Sequence, residues 1–113
     1  MRALPLLATV SMLVCCVGAA AQNRPEGNAQ AGRQIALRSC ASCHLVAANQ
    51  EVPPIPNYGP RFSDIAGRPG VTAETLQAFL SNPPAMTKMP HPHLTPTEMA
   101  DVIAYLLSLR SQR

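Results

Sequence analysis

The stretch Ser39-Cys40-Ala41-Ser42-Cys43-His44 decides how this chain is read. Two thiols three positions apart lie about one turn apart, and a histidine follows the second at once. Both sulfurs can then add to the two vinyl groups along one edge of a haem, and the next residue is carried to the iron; Cys-x-x-Cys-His is the attachment pattern of haem c. The expected cofactor is therefore one covalent haem with its iron, held by Cys40 and Cys43, with His44 as an axial ligand. Three other uses of the same residues stand beside this one. The pair could be an ordinary disulfide of a secreted domain. It could be a thioredoxin-like redox pair, which wants a βαβ pattern that the chain does not show. Finally, Cys40, Cys43 and two of His44, His91 and His93 could hold zinc.

Upstream of the motif, Met1-Arg2 is a short positive start, residues 3–20 carry no charge and are almost wholly apolar, and Ala19-Ala20-Ala21 supplies small residues for a peptidase. This is the layout of a secretory signal peptide, residues 1–21, leaving a single domain over 22–113. The apolar run is also at the short limit for a membrane anchor, but no basic cluster follows to stop transfer. Cys15 and Cys16 do not follow the small residue that lipid attachment requires. Export to the periplasm, an oxidising compartment, with no stable membrane insertion after cleavage, is the expectation.

The remaining domain is small, and domains of such length bury only about 60% of their unfolded surface. The chain has two Phe, two Tyr and no Trp, thin aromatic filling that a large, flat, apolar cofactor would supplement. The formal net charge of +3 comes without a basic run or an acidic tail, so nothing points to nucleic acid.

The pattern predicts an all-α fold. After a polar stretch over 22–27, Asn28 is the N-cap of a first helix over Ala29–Ser39, with Ala31, Ile35 and Ala36 on one stripe. Gly32 costs about 1 kcal/mol there relative to Ala, which implies a packing use. Residues 45–70 read as loop, since Val52-Pro53-Pro54-Ile55-Pro56 forbids a helix and Tyr58-Gly59-Pro60 and Gly67-Arg68-Pro69-Gly70 are turn signals. A second helix covers Ala73–Leu80, capped by Thr72, with Leu76, Phe79 and Leu80 on its buried side. A second Pro-rich loop over 83–93 contains Met86, Met89, His91 and His93. Thr95-Pro96-Thr97-Glu98 then opens the last helix with a capping box and proline at the first helical position. Met99, Val102, Ile103 and Leu106 share its apolar face to about Leu109. Three helices joined by two long structureless loops are unusual in a small domain, unless the loops wrap a cofactor.

Beyond the pentapeptide, nearly all of residues 22–113 resembles the small class I cytochromes c. The segments that carry the resemblance are Gly32 eight positions before Cys40, Gly59-Pro60-Arg61-Phe62 with Gly67-Arg68, Asn82-Pro83 with Thr87-Lys88-Met89, and Ala104-Tyr105-Leu106. The resemblance implies the cytochrome c fold and makes Met89 the second axial ligand, with Met86 the competitor in the same loop. A thioether favours ferrous iron, so His/Met ligation raises the potential. A bis-histidine iron would need His91 or His93 to displace that methionine; both read more simply as exposed loop histidines. By the same resemblance the Pro60 carbonyl accepts the proton of the proximal imidazole, and Phe62 packs on the haem face. Arg68 and Thr87 approach the propionates, Val102 and Leu106 touch the haem from the last helix, and Tyr105 packs over Gly32. The chain departs from the family in having Ala36 where an aromatic is common and no propionate-binding Trp. It is also longer between His44 and Pro60, and shorter between Arg68 and Met89.

These readings imply a monohaem electron carrier rather than an enzyme. Its iron would have both axial positions filled, limiting the protein to outer-sphere single-electron transfer. The expected partners are redox proteins: a dehydrogenase as donor, an oxidase or reductase as acceptor. Two further readings are a haem-bearing subunit of a dehydrogenase or oxidase complex, and a haem enzyme or sensor with a labile Met89.

Overall fold

The computed structural model describes residues 26–50, 55 and 59–112. The signal segment, its cleavage site, the Val52-Pro53-Pro54 run and Tyr58 lie outside the described residues. Helix α1 runs over Ala29–Ser39, α2 over Phe62–Ala66, α3 over Ala73–Ser81 and α4 over Pro96–Ser108. Short 3-10 turns cover Ala85–Thr87 and Leu109–Gln112. There is no strand among the described residues.

Each long helix starts where its capping residues dictate. The Asn28 side chain accepts from the N–H groups of Gln30 and Ala31, both at 3.0 Å. Thr95 and Glu98 form the reciprocal capping box expected of α4, and Thr72 forms an equivalent one with Thr75. These bonds satisfy donors that the first turn of a helix leaves without intrahelical partners.

The frame is the crossing of α1 on α4, the most extensive contact between elements. Gly27 and Gly32 make it possible. A Cβ on Gly32 would run into the Asp101 carbonyl, and one on Gly27 into that of Ala100. The crossing brings Gly32 against the Asp101 backbone, one turn before Tyr105. Tyr105 is buried and donates its hydroxyl to the Val46 carbonyl at 2.7 Å, tying α4 to the loop that follows His44. The Asn28 N–H donates to the Asp101 carboxylate at 2.6 Å, closing the same crossing at its end.

Two other differences from the sequence reading have physical causes. The stretch 45–70 is not all loop: α2 forms one helical turn, with the N–H groups of Asp64 and Ile65 both bonded to the Arg61 carbonyl. It packs Phe62 and Ala66 inward against α4 and Leu109, and Arg110 donates to the Ala66 carbonyl at 2.8 Å and to that of Val71. On α3, Leu76 is buried but Phe79 is 36% exposed, because it faces the large cavity described next rather than the α3–α4 contact.

Candidate functional site: a haem pocket

Helix α1 ends directly in the cysteine motif. Cys40 is its C-cap and donates to the Ala36 carbonyl at 2.8 Å. The N–H groups of Cys43 and His44 then both bond to the Cys40 carbonyl, at 3.2 and 2.9 Å. One further turn thus carries Cys40, Cys43 and His44 to the wall of a single cavity of about 800 Å³. That volume is in the range of small-molecule and cofactor sites, and most of its lining is apolar, with Phe62, Leu76, Phe79, Val102 and Leu106 among the contributors.

The imidazole of His44 is fixed from several directions. Its Nδ1 lies 2.7 Å from the Pro60 carbonyl. A carbonyl only accepts, so Nδ1 carries the proton and donates, leaving the Nε2 lone pair free to bind a metal. Phe62 sets its ring edge-on at 5.6 Å between centroids. Gly59 lies against the other side, where a Cβ would come within 2.5 Å of Cε1 and 2.6 Å of Nδ1. Two backbone bonds hold this second segment in place: Gly59 N–H to the Cys43 carbonyl at 3.1 Å and Phe62 N–H to that of Leu45 at 3.0 Å. The sequence marks Gly59 as a turn residue and as part of the Gly59-Pro60-Arg61-Phe62 family segment, but not as a close neighbour of the His44 ring; nothing in it marks Gln50, whose amide bonds four backbone groups around the motif.

Across the cavity, the 3-10 turn Ala85–Thr87 sorts the two methionines. Its C-cap, Lys88, takes a left-handed conformation with φ of 54°, which turns the chain sharply. Met89 is half-buried and lines the cavity. Met86 is 88% exposed and is not part of the lining. Thr87 lines the cavity, yet its hydroxyl donates to the Pro84 carbonyl at 2.7 Å, a use the propionate expectation did not include. Arg68 lies at the cavity on the turn after α2, its side chain exposed. His91 and His93 are exposed as expected, but both rings also line the cavity, and the His91 Nε2 bonds to the Ser81 carbonyl at 2.7 Å.

The donor set can be weighed against the three competing uses of the cysteines. They are not joined in a disulfide. Burial, and then the neighbouring Cys43, push the Cys40 thiol up to about 11; such a thiol is not the reactive thiolate of a dithiol oxidoreductase. Among the described residues, no three of His, Cys, Asp and Glu cluster as a metal ion would need, so the zinc arrangement finds no geometric support. What remains is two thiols, an imidazole and a thioether lining one largely apolar cavity. This set suits a flat apolar group carrying a metal.

The cytochrome c family model matches residues 29–110. The chain belongs to the cytochrome c family. It is also 39% identical over 98 residues to a curated relative, the cytochrome c-552 of Bradyrhizobium diazoefficiens, a match covering 87% of this chain and 90% of that protein. Membership makes the chain a c-type cytochrome and electron carrier, with covalently bound haem c as its cofactor, and Cys40 and Cys43 stand at the spacing that attachment needs. The all-α architecture is the cytochrome c fold.

Proposed function

We propose that this cytochrome is a monohaem, outer-sphere electron carrier of a periplasmic redox chain. Cys40 and Cys43 would hold haem c through thioethers, and His44 and Met89 would bind its iron. When bound, the haem supplies a one-electron couple at iron. The chain's own residues do the rest. The Pro60 carbonyl fixes the His44 tautomer and ring angle, which strengthens the imidazole as a donor. Met89 supplies a soft, neutral donor that favours the ferrous state. Phe62, Val102 and Leu106, all buried, keep the chamber dry, and a dry pocket further raises the potential.

The observation that carries this reading is that one cavity is lined both by an imidazole whose Nε2 is free and by the Met89 thioether, while the rival Met86 is exposed and outside the lining. An iron bound by both His44 and Met89 would leave no position for a substrate, which favours a carrier over an enzyme or sensor. The proposed partners are a dehydrogenase as donor and an oxidase or reductase as acceptor, met through short-lived complexes of small interface. Residues 1–21 are the export signal in this reading, and among the described residues no helix is long and apolar enough to cross a membrane.

The test is export and redox behaviour together. Expressed with haem-attachment machinery, the protein should appear in the periplasmic fraction, shortened at its N-terminus. It should keep its haem through denaturing electrophoresis and titrate as a single reversible one-electron couple. Haem that is released on denaturation, or turnover of peroxide at enzymatic rates, would refute the proposal.

A further inference from the structure

The loop that follows His44 folds back beneath the cysteine motif, and its last described residue places one amide at the centre of it. The Gln50 Oε1 accepts from the N–H groups of Val46 at 2.7 Å and Ala47 at 3.3 Å. Its Nε2 donates to the carbonyls of His44 at 2.9 Å and Ala41 at 3.2 Å. Both donors and both acceptor positions of the amide are thereby used. Its Nε2 bonds fall on the motif itself: Ala41 follows the first thiol, and His44 is the residue whose ring faces the cavity. The backbone of His44 is consequently held at both ends, its N–H by the Cys40 carbonyl and its own carbonyl by Gln50. Gly59 and Phe62 bond the neighbouring Cys43 and Leu45 carbonyls, and Pro60 holds the ring, so Gln50 is the group that bonds the carbonyl of His44 itself.

We propose that Gln50 is a positioning residue for the axial histidine. Its amide nitrogen clamps the His44 and Ala41 carbonyls, and so sets the point from which the imidazole reaches the iron. The proposal rests on His44 being an axial ligand. It is separate from a plain loop-capping role, because the two halves of the amide do different things: Oε1 caps the Val46–Ala47 turn, and Nε2 clamps the motif.

Substitution can divide the two halves in the ferric holoprotein. Gln50→Glu keeps an acceptor for Val46 and Ala47 but sets a carboxylate oxygen against two carbonyls. Gln50→Leu removes both functions. Nuclear magnetic resonance reads the paramagnetically shifted His44 ring protons, and amide exchange reads the local bonds. The account expects the His44 ring resonances to move in both variants. Val46 should keep its protection in Gln50→Glu and lose it in Gln50→Leu. Unmoved ring resonances in Gln50→Glu would overturn the proposal and leave a loop cap. Should the Leu variant fail to fold, the Glu variant alone decides. A wild-type spectrum lacking histidine-ligated iron would overturn the proposal together with the reading beneath it, whereas unmoved resonances in a histidine-ligated protein overturn the proposal alone.

Discussion

The two walls of the pocket are held very differently. On the histidine side, the Cys40–His44 turn is continuous with α1, bonded to the 59–62 segment on both sides of His44, and clamped by Gln50 from below. On the methionine side, the chain from Ser81 to Leu94 has one 3-10 turn, the Thr87 hydroxyl on Pro84 and the His91 ring on Ser81. The Met89 N–H reaches the Thr87 hydroxyl only at 3.5 Å. Prolines stiffen this loop, since their fixed φ leaves fewer states to lose, and the bonds just named are mostly local to it. Local opening follows the density of such ties. In the proposed reading the histidine wall is the fixed half of the site, and the methionine wall is the half at which a ligand would exchange.

Substitution on the fixed wall should do the greatest damage. Gly59→Ala would drive a methyl into the His44 ring. It should cost at least about 3 kcal/mol in denaturant unfolding of the holoprotein; a cost under about 1 kcal/mol would show that the ring can swing aside. Tyr105→Phe removes the hydroxyl from a buried contact and leaves the Val46 carbonyl without its partner. About 1–3 kcal/mol should be lost, with a lower melting temperature and an unchanged optical spectrum.

On the exchangeable wall the effects should be smaller and kinetic. His91→Leu removes a side-chain bond that ties the loop's far half to Ser81 at the end of α3. Added imidazole should then displace Met89 several-fold faster, with little change in melting temperature. An unchanged rate would mean that the prolines alone set the opening of the loop.

The smallest effect lies outside both walls and serves as a control. Hydrogen bonds from the Thr95 N–H, then from its hydroxyl, lower the Glu98 carboxyl below its ordinary value. A folded pKa below the unfolded one, about 4.3 for Glu, contributes stability above that value and loses it as pH falls through the folded one. Glu98→Gln should therefore be less stable than wild type at neutral pH, and the gap should close in acid. Measured by denaturant midpoint against pH, a gap that widens in acid would reverse the assigned cause.

The same contrast explains what could be read from the sequence. The fixed frame was legible because it depends on local rules. Asn28, Thr72 and Thr95 announce their helices, and the Gly32 cost implied the close crossing that the structure places on Asp101. Helix α2 was not legible, since five residues between turn signals give no period to detect. Phe79 follows the apolar pattern of α3 but faces the cavity, a distinction that depends on where the helix docks. Tyr105 was expected on the neighbouring helix, yet its hydroxyl finds a carbonyl 59 residues away. Gln50 acts through a fold-back of the chain that no spacing rule encodes. Met89 came from family resemblance rather than from the residues themselves; the left-handed Lys88, which turns Met89 inward and leaves Met86 out, is visible only in three dimensions.

The most direct test of a fixed histidine facing an exchangeable methionine is the red-end absorption band that reports a sulfur–iron bond, measured on the ferric holoprotein and two variants. The band should be present in wild type and in Met86→Ala. It should be absent in Met89→Ala, which should keep its covalent haem and histidine-ligated spectrum. A band that survives in Met89→Ala, or is missing from the wild-type protein at neutral pH, would contradict the assignment.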